Sequence, residues 1–157
     1  MPLELNATAH LNVKQIPEHP AVVVHGIADV RAALAPALPV TLLSARGAAL
    51  FAGCGWWRAL VEQTWREHPG AEIADVLDCA DACGLALGAL RIGQRRLILD
   101  TQAPGRAAVE AVAASLGVEL WALRPPALDM ADRSASHRLR GWLRSRTPPD
   151  DRRANVV

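Results

Sequence analysis

Apolar residues in this chain gather in short runs that end on a polar residue just ahead of a helical stretch. The runs are Ala21-Val22-Val23-Val24-His25, Val40-Thr41-Leu42-Leu43-Ser44, Ile73 to Cys79, Leu97-Ile98-Leu99-Asp100-Thr101 and Val118 to Arg124. Each has the length and composition of a strand. Helical periodicity fills the gaps, over 29–34, about 48–68, 82–91 and about 104–116. In the second of these, Trp57, Leu60, Val61 and Thr64 fall at i, i+3, i+4 and i+7, so one face packs inward. Pro36, Pro69-Gly70, Gly93 and Gly117 supply the stop signals. Alternating strand and helix implies a parallel sheet with right-handed crossovers. The expected fold is α/β, a mainly parallel five-stranded sheet with flanking helices in a three-layer, flavodoxin-like order. A one-sided or half-barrel arrangement of the same units has the same periodicity.

The two ends follow other patterns. Leu3, Leu5, Ala7, Ala9, Leu11 and Val13 alternate with polar residues, which reads as an extra N-terminal strand within 1–16. Such a strand can join a sheet edge in its own chain, or make a homo-oligomer through residues 3–13. After Pro125-Pro126 a basic helix is expected over 132–146, with Leu139, Trp142 and Leu143 as its apolar stripe. The expected division is one α/β domain over 1–128, with the βα units in 21–124, and a basic helical tail over 129–157. The end of that tail is expected to be disordered.

Composition narrows the chemistry. At 157 residues with 51% hydrophobic content, the chain is long enough to bury a core. The net charge of +1 supplies no global field for a polyanion. The arginine-rich segment interleaves with Trp142 alone, which is too little for a base-stacking platform and argues against nucleic acid. No apolar run is long enough for a membrane span, and the first residues have no secretory pattern. Three cysteines fit no disulfide framework and favour a cytoplasmic setting. Lys14 is the lone lysine and tyrosine is absent. A P-loop and the Tyr–Lys pair of short-chain dehydrogenases are therefore excluded, and Lys14 is poorly placed for a Schiff-base site in the sheet mouth.

If the runs are parallel strands, His25, Ser44, Asp78, Cys79, Asp100 and Arg124 share one edge of the sheet. Ligands of open α/β sheets bind at that carboxyl edge. Ser44, Arg46 and Gly47 sit between a strand and its helix, where backbone N–H groups and a guanidinium hold anions; the same string is also an ordinary capped turn. Arg124 is the further candidate ligand contact. Asp78 and Asp100 form a candidate acid–base pair, and His25 a candidate general base. Asp100 is equally a normal Asx-turn residue.

Two cysteine sites complete the set. Cys54, within Gly53-Cys54-Gly55, is a nucleophile if a helix begins there, and a small core residue if the glycines only make room for Trp56 and Trp57. Cys79 is the second candidate nucleophile. With Cys83 and His25 it has some character of a soft-metal site, but the spacing lacks the second ligand pair of a zinc centre, so no metal is expected. The residues identify no cofactor.

The order of units resembles flavodoxin-like and receiver-like folds without their functional residues. Receiver acids and lysine are replaced by His25 and Arg124, and the flavodoxin phosphate loop by Gly26-Ile27-Ala28-Asp29. The strings Leu43-Ser44-Ala45-Arg46-Gly47, Gly53-Cys54-Gly55-Trp56-Trp57 and Leu77-Asp78-Cys79-Ala80-Asp81 resemble a group of small proteobacterial α/β proteins. That resemblance covers about residues 21 to 128. It implies a bacterial cytoplasmic protein and brings no activity with it.

Three functions stay open on these residues. One is a binding module for a small anionic ligand at the carboxyl edge. Another is a small enzyme using His25 with Asp78 or Asp100, or a cysteine nucleophile. The third is an interaction module acting through the N-terminal strand or the arginine-rich helix.

Overall fold

Residues 17–145 are described by a computed structural model, and within them each apolar run becomes a strand. These are β1 (Ala21–Val24), β2 (Val40–Ser44), β3 (Ile73–Asp78), β4 (Arg96–Ile98) and β5 (Glu119–Trp121). A further strand, β6 (Ala127–Asp129), follows the proline pair. All pair in parallel, in the order β5-β4-β3-β2-β1-β6. The fold is thus an α/β parallel sheet with flanking helices, with six strands where the sequence predicts five. Three residues behind two prolines carry no period of their own, so β6 is legible only from its pairing with β1. The N-terminal segment 1–16, with its oligomer expectation for 3–13, and residues 146–157 lie outside the described residues.

The helices are α1 (Ile27–Leu34), α2 (Ala48–Phe51), α3 (Cys54–Glu67), α4 (Cys83–Arg91), α5 (Arg106–Leu116) and α6 (Ala135–Arg144). The single helix expected over 48–68 is two pieces. Gly53 sits at φ 87°, a conformation that strains any residue with a Cβ, and there the chain turns between α2 and α3. Helix α3 therefore begins at Cys54, and its stripe of Trp57, Leu60, Val61 and Thr64 is buried as the periodicity predicts.

The two faces of the sheet are covered differently. Val22, Val24, Val40, Leu42, Leu77, Leu97 and Leu99 join one large cluster with the buried residues of every helix. Val23, Leu43, Val76, Ile98 and Trp121 form a second, smaller cluster, against which Ala127 packs. Helix α6 belongs to the first cluster through Ala135, Leu139 and Leu143, and Trp142 Nε1 donates to Ala21 O at 2.8 Å. Residues 129–144 are therefore continuous with the domain, and the expected boundary falls inside β6.

One connection shapes the sheet. Trp121 ends β5 at one edge and Ala127 opens β6 at the other. In a flat sheet the five intervening strand spacings would be about 24 Å. Six peptide steps reach at most about 21 Å. The sheet must twist and curl to bring its edges together, and the strap Ala122–Pro126 crosses it on the way. That crossing carries Arg124 over the ends of β2 and β3.

Candidate ligand-binding site

The carboxyl edge is organised around Asp78, the last residue of β3, which is only 2% exposed. Asp78 Oδ1 accepts from the backbone N–H of Gly47 and of Ala80, both at 2.9 Å. Asp78 Oδ2 accepts from the Arg124 guanidinium, which also donates to Ser44 O at 3.0 Å. The Asp78 N–H in turn donates to Ser44 Oγ at 2.9 Å. One buried carboxylate thus ties the β2–α2 turn, the β3–α4 turn and the strap into a single unit. Gly47 is required at φ 65°, where its N–H faces the carboxylate. Ala80 holds φ 49° without glycine's freedom, secured by its own N–H bond and by the Asp100 N–H donating to Ala80 O at 2.7 Å.

This network occupies most of the expected anion contacts. Ser44 is buried, its hydroxyl donating to Ala45 O and accepting from Asp78. Both the Gly47 N–H and the Arg124 guanidinium are turned to Asp78. Arg46 is different. It is exposed, and it takes part in none of the ion pairs among the described residues.

Beside the network lies a cavity of about 200 Å³, lined by Arg46, Asp78, Ala80, Ile98, Asp100, Ala122, Leu123 and Arg124. Four of the charged residues picked from the sequence therefore meet around one space. Asp100 has its Oδ1 accepting from the Gln102 N–H at 3.2 Å, the Asx-turn geometry, and its carboxylate has no cationic partner among the described residues. Leu123, 70% exposed, forms an apolar wall. A larger hollow of about 450 Å³ lies at the opposite, amino edge, between the α1–β2 and α3–β3 connections. Its lining is mainly Leu34, Leu38, prolines and small residues, with His68 and Glu72 as its titratable groups. The smaller cavity carries the denser chemistry.

His25 is not joined to Asp78 or Asp100. Its Nε2 lies 2.7 Å from Asp129 Oδ1 on β6, across the ends of neighbouring strands. Burial alone would raise the Asp129 pKa, but bonds from the Ala131 N–H and His25, with the nearby charges of His25 and Arg124, lower it instead. An ionised carboxylate only accepts, so Nε2 carries the proton and Nδ1 faces away from Asp129. The pair is half exposed. Asp129 could not be read from the sequence because its strand was not visible there.

The cysteines are all free thiols. Cys79 is fully buried, and that burial, with the charge of Asp78 and the two other cysteines nearby, pushes its pKa up to about 12. It is protonated and enclosed at neutral pH, which removes it as a nucleophile. Cys54 opens α3 and Cys83 opens α4, both partly buried and packed against the apolar core. Cys54 Sγ lies 3.9 Å from the place a Cβ would take on Gly88, an ordinary van der Waals distance, whereas a Cβ on Gly53 or Gly55 would meet nothing within 4 Å, so those glycines do not make room for Trp56 and Trp57. Among the described residues, no His, Cys, Asp and Glu side chains form a group that could hold a metal. Arginines of α6 stay on its outer side while Leu139 and Leu143 face the core. No helix among the described residues is long and apolar enough to cross a membrane.

The fold and this edge define an α/β domain with a charged cavity at the carboxyl ends of its strands. No protein-family model matches the chain, and no curated protein matches it in sequence.

Proposed function

We propose that this protein binds a small anionic group in the cavity at the carboxyl edge of its sheet, with Arg46 as the charged contact. The observation behind this reading is the division of charge there: Arg124 is neutralised by Asp78, whereas the Arg46 guanidinium is exposed and in no ion pair among the described residues. A guanidinium donates two parallel bonds to a carboxylate or phosphate. Asp78, Ser44 and Gly47 act indirectly in this reading, by holding the turn that carries Arg46. Titration of the ¹⁵N-labelled protein with acetate and inorganic phosphate tests it. Amide shifts at residues 45–47, 80 and 122–124, lost in Arg46→Gln, are the expected result. Unchanged shifts in that variant would rule out the assigned contact.

The enzyme reading keeps one favourable observation, the His25–Asp129 pair at the same edge. An imidazole oriented by a carboxylate is an arrangement suited to general base catalysis. Its ring nitrogen Nδ1 would be the basic atom, and a substrate proton within reach is what the reading requires.

A further inference from the structure

We infer that the ligand of this cavity is a small zwitterion, an ammonium and a carboxylate on a short aliphatic body. The inference rests on the anion-binding reading above and narrows it. Two arginines and two aspartates line the cavity. Arg124 and Asp78 cancel one another in a contact where Asp78 is fully enclosed, so neither needs a ligand charge. What remains is Arg46 and Asp100, one positive and one negative, neither in an ion pair among the described residues.

A ligand carrying only negative charge would satisfy Arg46 but face the Asp100 carboxylate across a small space, where like charges raise the cost of binding. A simple amine has the reverse problem. A zwitterion answers both. Asp100 is held for that role, its N–H bonded to Ala80 O and its Oδ1 to the Gln102 N–H, while its Oδ2 accepts no hydrogen bond from the described residues. Size agrees. A space of about 200 Å³ is smaller than the roughly 300–1,000 Å³ of sites that take drug-sized ligands, so it suits a small one. Ile98, Ala80, Ala122 and Leu123 supply apolar walls for the carbon chain between the charges.

The test is an NMR titration of the full chain with L-alanine, β-alanine and 4-aminobutyrate, run beside propionate, butyrate, butylamine and inorganic phosphate. At least one zwitterion is expected to bind ten-fold or more tightly than the carboxylate and the amine of matched length. Asp100→Asn should remove that preference while leaving propionate binding equal or tighter, and Arg46→Gln should weaken both classes. Propionate or phosphate binding as tightly as every zwitterion, with no loss in Asp100→Asn, would overturn the zwitterion and leave the anion site standing. Binding of butylamine alone, or no shift from any probe at tens of millimolar, would overturn both readings.

Discussion

Arg124 and Asp78 are 46 residues apart and meet as an ion pair in which the carboxylate is 2% exposed and the guanidinium 19%. The pair fastens the strap between β5 and β6 to the centre of the sheet. By holding the strap just past its bend at Ala122 and Leu123, this contact also sets where the cavity wall formed by those two residues stands.

Removing either partner should therefore be costly. Asp78→Ala leaves the Gly47 and Ala80 N–H groups and a guanidinium without their acceptor, and should destabilise the fold by about 3–5 kcal/mol. Arg124→Met keeps the two backbone donors on Asp78 and should cost about 2–3 kcal/mol, at the low end for a partly exposed pair. Urea denaturation of both single variants and of the double variant measures the coupling. Additive losses would show that the two side chains act independently.

A second buried carboxylate, Asp75, faces the helix layer. Its Oδ2 accepts from Trp57 Nε1 at 3.0 Å and from Gln94 Nε2 at 2.7 Å, joining β3, α3 and the start of β4. Asp75→Leu would strand both donors in the core, at an expected cost of about 2–4 kcal/mol. Trp57→Phe keeps most of the apolar volume and removes one donor, so a loss of about 1–2 kcal/mol is expected. Thermal melts of the two variants should keep that order; a larger loss for the phenylalanine would place the stabilisation in packing rather than in the hydrogen bonds.

Thiol reactivity should separate the three cysteines. With its pKa near 12 and no exposure, Cys79 should stay unlabelled by iodoacetamide at pH 8 in the native protein. Cys54 and Cys83, partly accessible, should be alkylated first, as peptide mass spectrometry would record. Native labelling of Cys79 at the rate of the other two would contradict its burial.

One pH dependence follows from the surface. Bonds from Arg31 and then from Gln63 outweigh slight desolvation and, with the charges of Arg31 and His68, hold the Glu67 pKa down to about 2, against an ordinary 4.5. A carboxyl depressed in the folded state contributes stability above its unfolded pKa and loses it as the pH falls through the folded one. The α1–α3 link between Arg31 and Glu67 should thus weaken between about pH 5 and 2. Carboxyl-detected NMR titration should place the Glu67 midpoint near 2, and Arg31→Ala should return it toward 4.5. A midpoint unchanged by that substitution would mean that the ion pair does not set it.

Some of this molecule was legible in one dimension because local physics writes directly onto sequence. Short apolar runs and 3.6-residue stripes marked five strands and the buried faces of α3 and α6, since burial of a strand or helix face depends on neighbours within a turn or two. Polar residues at the ends of those runs marked the edge where Arg46, Asp78, Asp100 and Arg124 line one cavity. Pairing was not legible. His25 meets Asp129 across 104 positions, and Arg124 spends its charge on Asp78. The order of strands and the path of a five-residue strap decide such contacts, and neither leaves a period in the chain. Composition made each charged residue a candidate; only the tertiary structure, by pairing Arg124 with Asp78, left Arg46 and Asp100 as the cavity charges in no ion pair among the described residues.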